Sequence, residues 1–395
     1  MRVVLVTRSW PDPPTNGEAV IVHNLIKYLQ HIHELHLITL TDNASCKDET
    51  FPNLASAERI HCSWRKSMVG YIANLGRPYP YGVYAGTHQI VGNKLCARIQ
   101  KIAPDLVQLC SLSLALYERY VPKGVPKILL AADSLSMVMT RLANVECNAL
   151  RKAHLLLNRR KAEALERDIY PRFNSVVLVS DVDARAVARI SPKCNLKVIN
   201  NGVDVDYFRC SRYYYDTSDI GIVGNFGYPP NERAALRLFE DILPRVQAGF
   251  PDVKAYAIGL NPSPRMIELG KGNNAVIITG YVDDIRPYLE RLSIFVAFIE
   301  SGGGIKNKVL EAMSMGLPVV GTSIAFEGIR GVSGEHFVMV NNIDEAVRAI
   351  EALLSDSVAR QRIGERARQL VVENYSWPSK AKEYETLWNV VASSR

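Results

Sequence analysis

The sequence predicts an α/β protein made of two doubly wound domains, each a parallel sheet with helices on both faces. Short apolar segments alternate with longer helical segments, which is the pattern of a parallel sheet covered by crossover helices. The pattern breaks near residue 200 and starts again at residue 220. At 395 residues the chain is also too long for one ordinary hydrophobic core, so two domains are expected.

The first domain is expected over residues 1–200. It opens with a strand over residues 2–7, a proline-rich loop and a helix from about residue 18 to residue 30. Further strands are expected near residues 35–40, 105–109, 126–131 and 175–179. Between residues 150 and 170, leucines alternate with Arg and Lys, which predicts a basic amphipathic helix that either covers the sheet or lies on a membrane surface.

The second domain is expected over residues 201–377, after a turn and hinge that begin at Asn201-Gly202. Its strands are expected near residues 220–223, 253–258, 275–278, 294–299 and 318–321. Strongly periodic helices are expected over about 342–354, 357–373 and 378–392.

The composition is that of a globular protein, with 48% hydrophobic and 22% charged residues. No apolar stretch approaches the roughly 20 residues that span a bilayer. The N-terminal segment does not have the pattern of a signal peptide, so we expect a cytoplasmic protein. The seven cysteines form no CxxC pair and are expected to be free, mostly buried thiols.

The net positive charge of the chain comes from its first half. Residues 1–200 contain 26 Lys and Arg against 16 Asp and Glu, whereas residues 201–395 contain 21 against 24. An anionic lipid surface or a phosphorylated acceptor would suit this basic half, and peripheral contact with the inner face of the membrane is one expectation. The alternative is a solvated basic face without a partner. No nucleic-acid partner is expected.

The segment 300–320 carries the strongest functional signal. A buried apolar strand leads into a glycine turn at residues 302–304, and the turn leads into a helix. Glycines let a backbone approach a ligand closely, and the N-terminus of a helix attracts anions. Lys306 and Lys308 stand where cations need a nearby anion, and Glu311 is placed to accept hydrogen bonds from a diol. Together these residues predict a nucleotide-sugar site.

Four motifs resemble those of glycosyltransferases with the GT-B fold, especially the retaining family-4 group and its polysaccharide sugar-transferase branch. In chain order they are the loop 11–17, the hinge 201–208, the segment 223–231 and the segment 304–318. The resemblance implies two facing Rossmann-like domains with a cleft between them. It implies a nucleotide-sugar donor held by the second domain, an acceptor held by the first, and a helix in residues 378–395 that crosses back to the first domain.

The resemblance assigns donor-binding residues by position. Gly17 matches the small-residue loop that lets the donor phosphates approach, and Glu311 matches the glutamate that binds the ribose. The turn and the loop after the first strand of the second domain supply the remaining donor-binding residues: Asn225, Gly303, Gly304 and Ile305.

The sequence departs from the family pattern in two ways. The first glutamate of the family's Glu-x7-Glu pattern is replaced by Gly303, and the stretch 224–231 lacks the Arg and Lys that relatives use to neutralise the diphosphate. We therefore assign that charge to Lys306 and Lys308, as catalytic residues. Glu300 either contacts a hydroxyl of the donor sugar or is the polar end of a strand.

Retaining transfer, as the resemblance implies, relies on positioning and charge stabilisation, and the leaving phosphate takes the proton of the acceptor. No cofactor and no metal ion are expected. The pairs Asp181-Val-Asp183 and Asp204-Val-Asp206 resemble metal-binding pairs, but we interpret the first as a helix cap and the second as part of the hinge.

The acceptor is expected to be a hydroxyl group of a glycan, a glycolipid or another glycoconjugate, with a hexosyltransferase type of activity. Asp133, after the strand 126–131, either orients that hydroxyl or caps the next helix. Arg77, Tyr79 and Tyr81 form a loop that either contacts the acceptor or is only a loop. A catalytically silent GT-B binding protein, a GT-B epimerase and a phosphorylase remain alternatives. A dinucleotide oxidoreductase is disfavoured because neither domain has GxGxxG after its first strand.

Overall fold

The structure is a computed structural model that describes residues 1–14, 16–42, 51–64, 68–85, 87–210 and 217–394. The chain divides into two compact units. The first unit is Met1–Asn201 together with Trp377–Arg395, and the second unit is Gly202–Ser376. Each unit contains one parallel sheet with helices packed on it. The predicted α/β class with two doubly wound sheets is therefore confirmed.

The sheet of the first unit has seven strands in the order β3-β2-β1-β4-β5-β6-β7, and every neighbouring pair is parallel. The strands are β1 Arg2–Thr7, β2 Glu34–Thr41, β3 Ser56–His61, β4 Leu106–Leu109, β5 Lys127–Ala132, β6 Ser175–Leu178 and β7 Leu196–Val198. The central strands β4 and β6 are buried along their whole length, because helices cover both faces of the sheet.

Helices surround this sheet. They are α1 Gly17–Leu29, α2 Met68–Ala73, α3 Tyr81–Tyr84, α4 Gln89–Ile102, α5 Leu135–Val145, α6 Ala149–Asp168, α7 Asp181–Ile190 and α15 Trp377–Ser393. Two 3-10 segments, Leu112–Tyr120 and Tyr170–Arg172, follow β4 and α6. Helix α15 returns to the first unit and packs against α1 and β4.

The sheet of the second unit has six parallel strands in the order β10-β9-β8-β11-β12-β13. They are β8 Ile220–Val223, β9 Ala255–Ile258, β10 Val276–Gly280, β11 Ile294–Ala297, β12 Val319–Gly321 and β13 Val338–Met339. The helices are α8 Pro229–Leu236, α9 Leu243–Val246, α10 Pro264–Gly272, α11 Arg286–Leu289, α12 Asn307–Ser314, α13 Ile343–Ser355 and α14 Ser357–Asn374. A π-helical segment, Arg237–Ile242, joins α8 to α9.

One close approach in the second unit depends on a glycine. Gly259, just after β9, has a φ of +134°, and a Cβ atom built on it would lie 2.2 Å from the carbonyl oxygen of Gly224. The backbone of Gly224 donates to Ile258 across 3.0 Å, so the ends of β8 and β9 are tied together at this point. A side chain at position 259 would separate them.

Two expectations about the whole chain can be compared with the described residues. None of the helices in the described ranges combines the length and hydropathy that a membrane span requires. Six of the seven cysteines lie in the described ranges, and none of these six forms a disulfide, as expected. The expectation that most are buried is wrong, because only Cys62 and Cys110 are buried and Cys147 is exposed.

Candidate functional site

In the second unit, the order of the strands reverses between β8 and β11. Ligands of doubly wound sheets bind outside the carboxyl ends of the strands at such a reversal. The two loops that leave the sheet there are residues 224–228, after β8, and residues 298–306, after β11. We call this region, with the helices α8 and α12 that follow the loops, the β8/β11 site. It contains every donor residue predicted in the second unit.

The glycine turn has the backbone conformation that the sequence predicts. Gly302 and Gly304 have positive φ angles of +116° and +63°, which side chains disfavour. The ammonium group of Lys306 folds back and donates to the carbonyl oxygens of Gly303 and Gly304, at 2.7 and 2.5 Å. Lys306 therefore stabilises the turn, and it occupies the N-cap position of α12, one residue before the helix.

A polar side chain is buried at the start of this turn. Ser301 is only 1% exposed, and its hydroxyl oxygen has no hydrogen-bond partner among the described residues. Buried hydroxyl groups normally find a partner, since leaving one unmade costs about 1–3 kcal/mol. The hydroxyl of Ser301 is thus available to a bound molecule.

The second lysine connects the two loops of the site. Lys308 donates from its ammonium group to the side-chain oxygen of Asn231, on α8. The amide nitrogen of Asn231 in turn donates to the backbone oxygen of Asn225, across 2.9 Å. The side chain of Asn225 accepts from the backbone of Gly227 and from Asn261, both at 3.1 Å. This chain of hydrogen bonds fixes Lys308 and Asn225 relative to each other.

Burial acts on the two ionisable groups of α12 in opposite directions. It lowers the pKa of Lys308 to about 7, and the nearby Lys306 adds to this effect while Glu311 opposes it. Burial also raises the pKa of Glu311 to about 7, against the attraction of Lys308. The two groups are partners one helical turn apart, and a desolvated cation with a shifted pKa is a mark of functional sites.

Glu300 is held by an ion pair. Its carboxylate lies 3.6 Å from the guanidinium of Arg237, at the start of the π-helical segment, and Arg237 also pairs with Asp241 at 2.8 Å. The carboxylate of Glu300 is about one-third exposed, so it lies at the surface of the β8/β11 site.

In the first unit, the strand order reverses between β1 and β4. A cavity of about 420 Å³ lies at this reversal, lined by residues that follow β1, β4 and β5 and by residues of α2 and α6. We call it the β1/β4 cavity. Its polar side is formed by Arg8, Glu18, Ser111 and Ser113.

Glu18 lies at the centre of this polar side. The hydroxyl of Ser111 donates to the carboxylate of Glu18 across 3.0 Å and lies 2.7 Å from the hydroxyl of Ser113. Burial raises the pKa of Glu18, while Ser111 and the nearby Arg8 counteract that rise. The guanidinium of Arg8 lies 5.1 Å from the centre of the Trp64 ring system.

The predicted acceptor residues surround this cavity but do not line it. Arg77 stacks on Tyr84 at 4.8 Å, and Tyr79 lies parallel to the same ring at 6.0 Å. Tyr81 is buried, with its ring 4.5 Å from that of Tyr71. The loop reaches the cavity through Pro80 and Gly82.

Two further predicted residues, Asp133 and Gly17, lie at or just before the start of a helix. Asp133 does not cap α5, because the side chain of Ser134 accepts from the backbone of Met137 and is the cap. The capping alternative for Asp133 is therefore wrong. Gly17 is exposed at the start of α1, and a Cβ atom added there would have no atom within 4 Å.

The first acidic pair lies at the start of α7, as the helix-cap interpretation predicts. Ser180 caps α7 and accepts from the backbone of Asp183. Asp204 accepts from the backbone of Tyr207 across 3.0 Å. Within the described ranges, no group of three His, Cys, Asp or Glu side chains is arranged to hold a metal ion.

Sequence reasoning missed several residues of these two sites. Asn231 is the last residue of the segment 223–231, but nothing local in the sequence indicates that Lys308 bonds to it. Glu18 and Ser111 are 93 positions apart and meet only because β1 and β4 are neighbours in the sheet. The position of Glu18 directly after Gly17 is the one local signal that pointed to it.

Comparison with protein families gives a match over part of the chain. Residues 217–356 match the model of the family described as Glycosyl transferases group 1. Phosphatidyl-myo-inositol mannosyltransferase of Mycobacterium tuberculosis is 27% identical over 209 residues, which is 50% of this chain and 54% of that protein. The chain spans between 30% and 54% of the length of the first curated relatives that it matches.

Solved structures extend the similarity over the whole fold. Sucrose-phosphate synthase of Thermosynechococcus elongatus superimposes with a TM-score of 0.74 at 16% identity, covering 100% of both chains. HepE of Anabaena, solved in complex with UDP-glucose, superimposes with a TM-score of 0.68 at 14% identity, covering 98% of this chain and 99% of that one. The predicted GT-B fold and the resemblance to glycosyltransferases of that fold are confirmed. Membership of the family-4 group and retention at the anomeric carbon stay predictions.

Proposed function

We propose that the protein transfers a sugar from a nucleoside diphosphate sugar to a hydroxyl group. The GT-B fold of the chain and the match of residues 217–356 to the glycosyltransferase group 1 family support this proposal. The observation that supports this most directly is the β8/β11 site. There a glycine turn leads into the short helix α12, which carries the half-buried residues Lys308 and Glu311, at the strand reversal.

The donor diphosphate is proposed to bind against the glycine turn and the start of α12. We assign the main charge to Lys308, since Lys306 donates to two carbonyl oxygens of the turn, whereas Lys308 donates to the side-chain oxygen of Asn231. A lysine whose pKa is lowered by burial becomes protonated when an anion binds beside it, because the anion stabilises the charged form. Glu311 would accept hydrogen bonds from the ribose hydroxyl groups. The hydroxyl of Ser301 would donate a hydrogen bond to the bound nucleotide sugar.

The transfer step follows from these positions. The bond between the anomeric carbon and the leaving phosphate oxygen breaks, and the acceptor oxygen forms a new bond to that carbon. The negative charge that develops on the diphosphate is stabilised by Lys308 and by backbone N–H groups of the turn. We propose that the acceptor proton passes to the leaving phosphate, with retention at the anomeric carbon, and that no metal ion takes part.

The acceptor is proposed to be a glycan, glycolipid or other glycoconjugate that binds to the first unit. We also propose that this unit makes peripheral contact with the inner face of a membrane. Helix α6 supports this, because Leu150 is 84% exposed beside the exposed cations Arg151, Lys152 and Arg160. Co-sedimentation with phosphatidylglycerol vesicles, but not with phosphatidylcholine vesicles, is the expected result. Equal recovery with both would contradict the charge argument.

The proposed donor role is tested by thermal shift and calorimetry against UDP, GDP, ADP, CMP and dTDP, each with and without EDTA. One nucleoside diphosphate should bind, EDTA should not change its affinity, and Lys308→Ala should weaken it. Sugar conjugates of that nucleotide are then tested for hydrolysis and transfer. Binding without any turnover would favour a catalytically silent GT-B protein, and the absence of nucleotide binding would favour a phosphorylase.

A further inference from the structure

The β1/β4 cavity has two chemically different sides. Arg8, Glu18 and Ser111 form the polar side, at the carboxyl ends of β1 and β4. The apolar side is formed by Leu135, Met139 and Leu155, from α5 and α6, with the ring of Tyr71 from α2, and α6 also contributes the polar residues His154 and Asn158 to the lining. A cavity of about 420 Å³ is large enough for a sugar ring with part of an aliphatic chain.

The polar side is suited to hydroxyl groups. A carboxylate accepts hydrogen bonds, and the hydroxyl groups of Ser111 and Ser113 both donate and accept. The carboxylate of Glu18 is bonded to Ser111 across 3.0 Å, and its charge offsets that of the nearby Arg8, so the polar side offers no excess positive charge to a phosphate. A neutral polyol such as a sugar is therefore the matching chemistry.

Exposed apolar residues adjoin the apolar side along the chain. Tyr71 and Leu155 line the cavity, and their chain neighbours Ile72 and Leu156 are 66% and 39% exposed. The rings of Tyr71 and His154 lie 6.2 Å apart, so α2 and α6 adjoin at the edge of the cavity. A free sugar would leave this apolar side without a partner, whereas an alkyl chain would cover it.

We infer that the β1/β4 cavity is the acceptor site and that the acceptor is a sugar-headed lipid. Its sugar hydroxyls contact Glu18, Ser111 and Ser113, and its alkyl chain passes Tyr71 and Leu155 toward Ile72 and Leu156. The role of this lipid as an acceptor rests on the proposed glycosyl transfer, whereas its binding to the cavity does not. The two can therefore fail separately.

The position of Trp64 gives a direct readout. It lines the cavity, whereas the other three tryptophans, Trp10, Trp377 and Trp388, are at most 6% exposed. Bromine quenches indole fluorescence on contact. The probe is an alkyl β-D-glucoside that carries bromine in its chain, used below its critical micelle concentration. We expect saturable quenching in the unaltered protein and its loss in Trp64→Phe.

Separate substitutions test the polar side and the apolar side of the cavity. Glu18→Ala should weaken binding of the bromoalkyl glucoside by about tenfold, and so should Leu155→Asn. Tyr71→Ala gives a second apolar variant if Leu155→Asn does not fold. The matched control is Val390→Asn, because Val390 is 60% exposed on α15 and does not line the cavity. That control should bind as tightly as the unaltered protein.

Three results would overturn the inference. Quenching that persists in Trp64→Phe would locate the probe elsewhere. A sugar-free bromoalkanol with the same affinity as the glucoside would remove the role of the polar side. Equal binding of methyl β-D-glucoside would remove the role of the alkyl chain. Nucleoside diphosphate binding, measured on the same samples, reports on the proposed function independently, since a loss of nucleotide binding alone leaves the amphiphile site intact.

Discussion

The indole N–H of Trp388 donates to the side-chain oxygen of Gln108 across 2.7 Å, although the two residues are 280 positions apart. Both side chains are fully buried. Gln108 lies on β4, next to the strand reversal of the first unit, and Trp388 lies on α15. A helix that follows the second unit in the chain is therefore part of the polar core of the first.

Gln108→Leu should destabilise the protein by about 1–3 kcal/mol, because it leaves the indole N–H of Trp388 buried without an acceptor. Urea unfolding followed by circular dichroism measures this. The double variant Gln108→Leu/Trp388→Phe removes both partners and should lose less than the sum of the two single changes. Strict additivity would show that the hydrogen bond contributes nothing.

Gly259→Ala should destabilise the second unit by about 2–4 kcal/mol, because the new Cβ would meet the carbonyl of Gly224 and the backbone conformation disfavours a side chain. Thermal unfolding measures the loss. The matched control is Gly272→Ala, on α10, where an added Cβ has no atom within 4 Å. Helix propensity makes that change neutral or slightly stabilising. Equal unfolding temperatures for both variants would contradict the steric argument.

Lys308→Ala should weaken binding of a nucleoside diphosphate by about ten- to a hundredfold, because a charge-assisted contact to the diphosphate is lost. The corresponding nucleoside has no phosphate, so its affinity should hardly change. Calorimetry on both ligands tests the difference. An equal loss for the bare nucleoside would show that Lys308 acts through the fold and not through charge.

Glu311→Ala should raise the Kd of the same nucleoside diphosphate by about tenfold, since the acceptor for the ribose hydroxyls is removed. A deoxyribose analogue should respond less. Glu335→Ala, at an exposed position of the same unit, is the control and should bind normally. If Glu311→Ala binds as tightly as the control while folding normally, the ribose role of Glu311 is wrong.

Nucleoside diphosphate binding should weaken as the pH rises above about 7, because Lys308 has a pKa lowered to about 7 and loses its charge there. With one proton involved, the Kd rises by up to about tenfold per pH unit. Below that pH, protonation of Glu311, whose pKa is raised to about 7, removes carboxylate acceptors and opposes binding. Lys308→Arg keeps its charge at all these pH values, so the alkaline limb should flatten. If the Kd of Lys308→Arg rises above a pH of about 7 as steeply as that of the unaltered protein, another group causes the pH dependence.

The fold was predictable where the strands are apolar. β1 and β11 are continuous apolar runs that a buried parallel strand requires. The pattern missed β3, β7 and β13, because these strands are edges of the sheets or only partly buried, and tertiary pairing decides them.

The residues of the β8/β11 site were predictable because they are close together in the sequence. The glycine turn, Lys308 and Glu311 lie within ten residues of each other, so their chemistry is visible in one segment. The cavity of the first unit has no such segment. Its polar side comes from the loop after β1, the start of α1 and the segment after β4, and Tyr71 and Leu155 come from helices that are far apart in the chain.

Helix α15 also has a consequence for biosynthesis. The ribosome makes residues 1–201 first, but the first unit lacks α15 until the whole second unit has been translated. The second unit is one continuous segment and can finish folding while its predecessor still exposes the surface that α15 covers. We therefore expect the first unit to reach its final packing only after the second unit has been translated, although residues 1–201 leave the ribosome earlier.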